Sequence, residues 1–318
     1  MQLLRGFQHL PGFDGGTVAT IGNFDGVHRG HQALLAALRA EASRMNLPMV
    51  VVLFEPQPGE YFYCDKAPSR LTSLREKLDV LRYVGVDYVC CLKFDKRLSV
   101  MPASEFAEQI IFTSLQIKSL LIGHDFRFGR NRSGDVALLN QLAKKFGAVV
   151  HAFPDYSIAK ERVSSTKIRL ALLQGDLRRA ESFLGRTFGL CGRVMQGDGR
   201  GRQWGVPTAN LGLHRINLPL KGVFCVQVKR AGAPLMSGVA NLGSRPTVDG
   251  TKNILEIHLF DFNESLYGEV LQVFFLHKLR DEIKFPSVDV LIAQIHDDVA
   301  TAKAYFATVH PEINDFVE

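Results

Sequence analysis

The stretch TIGNFDGVHRGH, residues 20–31, ends an apolar run with two glycines and sets His28 and His31 three positions apart. Gly22 and Gly26 let the backbone turn sharply and let a ligand approach closely. A helix starting after them offers free N–H groups and the positive end of its dipole, which together favour phosphate. At an i, i+3 spacing, His28 and His31 share one face of that helix. Imidazoles so placed donate hydrogen bonds to phosphate oxygens, or to the charge that builds on a pentavalent phosphorus. Asn23 and Phe24 complete this candidate nucleotide loop. A tight turn carrying two surface histidines is the ordinary alternative.

Two further clusters fit the same chemistry. RVSSTKIRLALLQGD places Ser164, Ser165, Thr166, Lys167 and Arg169 at the head of a helical pattern. Hydroxyls, a helix N-terminus and a cation make an anion site, although a plain helix cap would use the same residues. IGHDFRFGRNRSGD carries Asp125, Arg127, Arg130 and Arg132 with Phe126 and Phe128. That mixture suits stacking on a ring system beside phosphates; a solvated basic loop is the alternative.

The second half carries different chemistry. GDGRGRQWGVPTANL contains neither G-x-x-x-x-G-K-[ST] nor a fitting G-x-G-x-x-G. Its glycine-rich loop, residues 197–205, can cover phosphates with backbone amides. Thr208 and Asn210 lie two apart, so an extended segment turns both to one side. A hydroxyl and an amide oxygen there suit Mg²⁺, a hard cation; a Pro-terminated surface turn is the plain reading. Glu256, in NILEIHLFDF, stands in an otherwise apolar strand. Phosphorylating an alcohol calls for a carboxylate that orients the hydroxyl or accepts its proton. An outward-facing edge residue fits the pattern equally well. Trp204 either stacks on a ligand or covers the loop. His258 and His296 read as structural or solvated, and Cys90 and Cys91 as core.

Elements must hold these residues in place. The 318-residue length gives two domains as the prior. Strands are expected at residues 17–21, 49–54, 87–93, 118–122 and 148–153. Helices are expected between them at 31–44, 74–83, 103–113 and 135–146. Ser73 and Glu76 read as a capping box, and Gly85 as a helix C-cap. This alternation implies a parallel, doubly wound, Rossmann-like sheet, which binds ligands at the carboxyl ends of its strands. After about residue 185 the expected strands, at 222–229, 235–241, 254–262 and 270–276, have no intervening helices. Turn signals such as RAGAP and VDGTK separate them, which suggests a small antiparallel β-barrel. One terminal helix follows, with Ser287 as its N-cap and Val288, Leu291, Ile292, Ile295 and Val299 as its apolar face. The expected boundary lies near residues 184–188, giving domains 1–185 and 186–318.

The totals narrow the class. Hydrophobic residues make up 46% and charged residues 22%, as in ordinary globular proteins. No apolar run approaches membrane-spanning length, and MQLLRGFQHLPGFDGG has no leader-like apolar region. Five cysteines, odd in number and without a C-x-x-C pair, predict free thiols in a reducing cytoplasm. The net charge of +6 is scattered, so neither a nucleic-acid tail nor a membrane surface is expected. A mild positive balance suits small anions such as nucleotides.

G-N-F-D-G-V-H-R-G-H resembles the signature of the HIGH-type nucleotidyltransferases. Together with G-H-D-F-R-F-G-R and S-S-T-K-I-R, it resembles the bifunctional bacterial riboflavin kinase/FAD synthetase family over essentially the whole chain. The resemblance implies an FMN adenylyltransferase in the first half, with His28 and His31 on the ATP phosphates. Gly22, Asn23, Phe24 and Gly26 would bind ATP, and Ser165, Thr166 and Arg169 would form a second phosphate element. Position 125 is Asp where some relatives carry Asn, in a segment that would hold flavin through Asp125, Phe126 and Phe128. V-P-T-A-N-L, N-L-G-S-R-P-T and L-E-I-H-L-F-D-F resemble the riboflavin kinase module. The resemblance implies Thr208 and Asn210 as Mg-ATP ligands and Glu256 as general base. Residues 241–247 and 279–285, including Arg280, would lie near the flavin. Substrates and products would be riboflavin, FMN, FAD and ATP. The implied partners are these small molecules and flavoprotein acceptors, for a monomer or weak oligomer. Two rivals are a single-activity nucleotidyltransferase with an accessory barrel and a nucleotide or flavin sensor without chemistry. Thr208, Asn210 and Glu256 argue against the first; His28, His31 and Arg169 argue against the second.

Overall fold

The computed structural model describes every residue except 8, 9, 11, 198, 214, 216, 248, 249 and 316–318, and leaves the side chains at 200, 244–247 and 250–252 undescribed. Asp198 of the glycine-rich loop, two residues of the VDGTK turn and the side chains of residues 244–247 therefore lie outside the described residues. The chain forms two compact units: Met1–Pro68 with Leu74–Ser164, and Ser69–Ser73 with Ser165 onward.

The first unit is built on strands β1 (Gln2–Arg5), β2 (Thr17–Ile21), β3 (Met49–Glu55), β4 (Tyr88–Lys93), β5 (Ile117–Gly123) and β6 (Val149–Phe153). Their order is β1-β4-β3-β2-β5-β6, and every neighbouring pair is parallel. Val18, Ala19 and residues 49–53 are completely or almost completely buried. Strands covered on both faces need such continuous apolar runs, which is why periodicity finds them. The strand order reverses between β2 and β5. Ligands of doubly wound sheets bind at this point, outside the carboxyl ends.

Helices Arg29–Met45, Leu74–Tyr83 and Val136–Ala143 lie where the pattern places them, and Gly85 follows the second with φ +83°. The expected helix at 103–113 differs. After Ala103–Glu105 the backbone widens into a π-helix over Phe106–Ser114, which buries Ile110, Ile111 and Phe112. Strand β1 escapes the sequence reading because four residues on an edge show no alternation. Cys90 is buried as expected, whereas Cys91 is half-buried.

A short hairpin, β7 (Ser157–Ile158) and β8 (Glu161–Arg162), ends the first unit. The second unit opens with helices Ser165–Leu173 and Leu177–Leu184; Asp176 caps the latter on the Arg179 amide at 3.0 Å. Strands β9 (Gly189–Met195), β10 (Ala209–Gly212), β11 (Gly222–Arg230), β12 (Met236–Thr247), β13 (Gly250–Leu259) and β14 (Val270–Arg280) follow. They close an antiparallel barrel in the order β10-β13-β12-β11-β14-β9. The sequence reading missed β9 and β10, whose glycines and arginines mask a half-buried alternation.

Helix Val288–Thr308 packs on the outside of the barrel, where Ala302, Val299 and Phe306 meet Val223, Cys225, Val239 and Phe260. Ser287 is its N-cap, accepting from the Val290 amide at 3.4 Å. The expected apolar face needs correction. Val288 is exposed, and the helix's buried residues are Asp298 and Ala302. Leu291 and Ile295 look into a cavity rather than a core, so they stay half-buried.

Candidate active sites

In the first unit the backbone leaves β2 at Gly22, whose amide donates to the Val52 carbonyl at 3.1 Å. It then enters the left-handed region at Phe24 (φ +47°), Gly26 (φ +83°) and Val27 (φ +39°). A β-branched residue there is a true outlier, and such strain gathers where a ligand must be met. A Cβ at Gly22 would stand 3.1 Å from the Phe24 ring, so glycine lets that ring fold back onto the turn. Gln32 Nε2 holds the Val27 carbonyl at 2.8 Å, and Lys77 Nζ holds the Asn23 carbonyl at 2.6 Å.

His28 is the N-cap of helix Arg29–Met45, and its Nδ1 accepts the His31 amide at 3.3 Å. The neutral ring then carries its proton on Nε2. The two imidazoles stack with centroids 3.6 Å apart and 15° between planes, and Phe24 covers His31 at 4.8 Å. Burial pushes the His31 pKa well below its usual range, and the charges of His28 and Lys77 push it further. His31 is held as a neutral ring. Its Nδ1 is buried and has no hydrogen-bond partner among the described residues.

The segment after β5 emerges beside this turn, because β2 and β5 are neighbours. Asp125 accepts from Arg162 Nη2 at 2.6 Å, and Arg162 Nε also pairs with Asp155 at 3.0 Å. The hydrogen bond from Arg162 holds the Asp125 carboxyl below its ordinary pKa. An Asn at this position could not make that ion pair. Phe126 stacks on Phe128 at 5.6 Å, but Phe128 is buried and supports Phe126 rather than meeting a ligand face. Phe128 contacts Phe106, which contacts Phe54, then Phe94 and Phe62. The sequence reading missed this aromatic row along the carboxyl ends of β3, β4 and β5. Phe54 and Phe94, each one residue from a strand end, were its signal. Phe62 and Tyr63 are 59% and 63% exposed.

Ser165 and Thr166 occupy the first turn of helix Ser165–Leu173 in the second unit. Arg169, on the same helix, donates from Nε to the Ser69 carbonyl at 2.5 Å.

The barrel carries the other site. Asn210 on β10 and Asn241 on β12 each stand directly opposite Glu256 on β13. Directly opposed residues point to one face, so an amide, a carboxylate and a second amide form a row. Strand β13 lies between β10 and β12, which removes the edge-residue reading of Glu256. Leu255, Ile257 and Leu259 fill the barrel, and Glu256 faces outward with His258. Thr208, Asn210, Asn241 and Glu256 line one cavity of about 270 Å³, walled by Leu291 and Ile295 of the terminal helix. Gly199, Gly201 and Trp204 of the glycine-rich loop line it as well. A Cβ at Gly197 would overlap the Asn210 amide, so glycine lets the loop close on it. His258 was not expected here. Its Nδ1 donates to the Pro207 carbonyl at 2.8 Å, tying β13 to the residue before Thr208. Thr208 also borders a second cavity of about 380 Å³, lined by Phe262, Leu266 and Tyr267.

Arg280 lines the first cavity, but its guanidinium is engaged. Nε and Nη2 donate to Asp298 at 2.7–3.1 Å, and Nη1 donates to the Asp281 carbonyl at 3.0 Å. Among the described residues no group of three or more His, Cys, Asp and Glu could hold a metal. The Thr208 hydroxyl and Asn210 amide are hard oxygen donors with room beside them. That set fits a cation completed by water and phosphate oxygens, the habit of Mg²⁺.

A doubly wound sheet with a strained, histidine-bearing turn at its switch point, joined in one chain to a closed barrel with a carboxylate beside oxygen donors, has the make-up of a two-module nucleotide-dependent transferase. Residues 11–167 match the FAD synthetase family model and residues 184–306 the riboflavin kinase model. The bifunctional riboflavin kinase/FMN adenylyltransferase of Haemophilus influenzae is 47% identical over 306 residues, 96% of this chain and 99% of that protein. Its counterpart in Escherichia coli K12 is 46% identical over 312 residues, 98% of this chain and 100% of that protein. The chain belongs to the bifunctional riboflavin kinase/FMN adenylyltransferase family. A crystal structure titled as a macrolide-efflux protein from Streptococcus pneumoniae superposes with TM-score 0.79 at 29% identity, covering 95% of this chain and 98% of that one. Among the described residues no helix is long and apolar enough to cross a membrane.

Proposed function

We propose that this protein makes both flavin coenzymes, with residues 186–318 phosphorylating riboflavin to FMN and residues 1–185 adenylylating FMN to FAD. The row of Asn210, Glu256 and Asn241 beside Thr208 carries the kinase reading. The terminal ribityl hydroxyl attacks the γ-phosphorus of ATP, Glu256 accepts its proton, and ADP leaves. The apolar wall of Leu291 and Ile295 suits the flavin ring, and the cavity beyond Thr208 suits the nucleotide. Thr208 and Asn210 would hold Mg²⁺, which when bound offsets the charge of the phosphates.

In the first half a phosphate oxygen of FMN attacks the α-phosphorus of ATP, and the bond to the departing pyrophosphate breaks. His28 and His31 donate hydrogen bonds to the charge that develops, His31 as a neutral ring held by burial. Gly22, Asn23, Phe24 and Gly26 shape the phosphate turn. The family pattern gives Ser165, Thr166 and Arg169 a share in phosphate binding. The exposed end of the aromatic row and Phe126 suit an isoalloxazine ring, with Asp125 and Arg162 as polar neighbours. Arg280 shapes the kinase cavity through Asp298 rather than by offering a free cation. We place the protein in the reducing cytoplasm, where five free thiols persist, as a monomer or weak oligomer that supplies flavoprotein acceptors.

The test is product analysis. Incubation with riboflavin, ATP and MgCl₂ is expected to yield FMN and then FAD, and supplied FMN is expected to yield FAD and pyrophosphate. Unchanged riboflavin would overturn the kinase assignment, and unchanged FMN the adenylyltransferase assignment.

A further inference from the structure

Lys77 is among the largest fully buried side chains of the described structure, at 0% exposure. It belongs to helix Leu74–Tyr83, whose other buried residues are Val80 and Leu81. An ammonium in such a place is costly unless it is held by polar partners, and an apolar residue of similar volume serves a core as well or better. Stability alone therefore gives no reason for a cation here. Its position does. Nζ donates to the Asn23 carbonyl at 2.6 Å, on the turn that joins β2 to helix Arg29–Met45. That turn contains Phe24, Gly26 and Val27, all in the left-handed region. Strained backbone persists only where its surroundings over-determine it. The lysine is one such restraint, and Gln32 on the Val27 carbonyl is a second.

We infer that Lys77 is a positioning residue for adenylyl transfer: its buried ammonium clamps the Asn23 carbonyl and fixes the phosphate turn and the imidazole of His31 that borders it. This inference rests on the adenylyltransferase reading of the first unit. Two consequences follow from the geometry. The clamp holds the turn's amides in one arrangement before nucleotide arrives. The charge also repels a proton on His31, alongside burial and His28, so that the ring stays neutral. Lys77 does not touch the reacting atoms in this scheme; it acts through Asn23 and His31.

The test uses the full-length protein with Lys77→Met, which keeps the length of the side chain and removes donor and charge. FAD formation from supplied FMN is expected to fall by roughly 10²-fold, the scale of a misplacement of about 1 Å. The loss should include a higher KM for ATP. Riboflavin phosphorylation by the same molecules should be unchanged, which checks that the second unit is intact. In addition, the His31 imidazole, followed by NMR in the variant, should titrate at a higher pH than in the parent, a change that a merely structural lysine would not cause. If Lys77→Met unfolds the first unit at the assay temperature, Lys77→Leu, which also removes donor and charge, takes its place at a lower temperature with the same readouts. Parental kcat and KM for FAD formation, or a loss that only tracks the unfolded fraction with His31 unmoved, would overturn the inference. Failure of the parent protein to make FAD would instead overturn the adenylyltransferase reading beneath it.

Discussion

The His28 ring accepts the His31 amide at 3.3 Å while the two imidazoles stack at 3.6 Å. One side chain thus caps a helix and orients its neighbour. Replacing His28 by Ala removes both roles. Loss of a cap costs about 1 kcal/mol, and loss of a donor to developing charge slows a reaction by roughly 10²–10³. Asn is among the best N-caps but carries no imidazole, so His28→Asn separates the two roles. The expected result is a thermal midpoint restored by Asn and a rate of FAD formation that stays low in both variants. Riboflavin phosphorylation should be untouched. A rate recovered along with the midpoint would leave His28 as a cap alone.

The same pair predicts a pH dependence of stability. His31 has its folded-state pKa pushed well below 6.5. Above pH 6.5 the ring is neutral in both folded and unfolded chains and contributes no difference. As pH falls below that value, the unfolded chain takes up a proton that the folded chain refuses, so stability declines with acid. Urea unfolding of the first unit at pH 7.5 and 5.5 measures the decline. In His31→Phe, which keeps a ring against Phe24, the decline should be smaller by the His31 share. An equal decline in both proteins would mean that His31 titrates normally.

The parallel sheet was readable because its strands are continuous apolar runs between amphipathic helices, and the sharp turn after β2 because its glycines break such a run just before a helix. The barrel site was readable only in pieces. Thr208, Asn210 and Glu256 stand out by residue type, but the register that sets Asn210 and Asn241 against Glu256 depends on barrel closure, which no local pattern encodes. Arg280 shows the opposite limit. The sequence places it only in a segment expected near the flavin, whereas in the fold Asp298, 18 residues later on another element, takes its guanidinium. Lys77 was invisible for a related reason: a lysine on a polar-looking helix reads as solvated, and only the fold buries it.

The Arg280–Asp298 pair offers its own test. The side chains are 21% and 9% exposed and share three hydrogen bonds. Removing one partner of a buried pair leaves the other charge uncompensated, and with Arg280 a fifth exposed the expected cost is about 3 kcal/mol, the low end of the range for such pairs. Asp298→Ala should therefore lower the urea midpoint of the second unit, followed by Trp204, the chain's single tryptophan. It should also raise the KM for riboflavin, because residues 280–285 and the terminal helix wall the same cavity. Asp298→Asn, which keeps acceptor geometry on one oxygen, should do less of both. Unchanged midpoint and KM in the Ala variant would mean that the pair neither stabilises the barrel nor shapes its cavity.

Glu256 carries the sharpest prediction, because the strand register sets its place between two asparagines whether or not it is charged. Glu256→Gln keeps the side chain's size and its position between Asn210 and Asn241. It removes only the ability to accept the proton of the ribityl hydroxyl. Phosphoryl transfer has a largely dissociative transition state in which positioning and charge neutralisation dominate, so a base matters late. The expected loss in FMN formation is on the order of 10²–10⁴, the usual share of general-base catalysis. Riboflavin affinity should survive, since the ring would rest on Leu291 and Ile295 rather than on Glu256. FAD formation from supplied FMN should survive too, because that chemistry belongs to the first half. The measurements are product formation from riboflavin at saturating ATP and MgCl₂, riboflavin binding by fluorescence, and FAD formation from FMN, all on the same preparation. Parental riboflavin phosphorylation by the Gln variant would remove the carboxylate from the mechanism and leave the row of amides as a structural feature of the barrel.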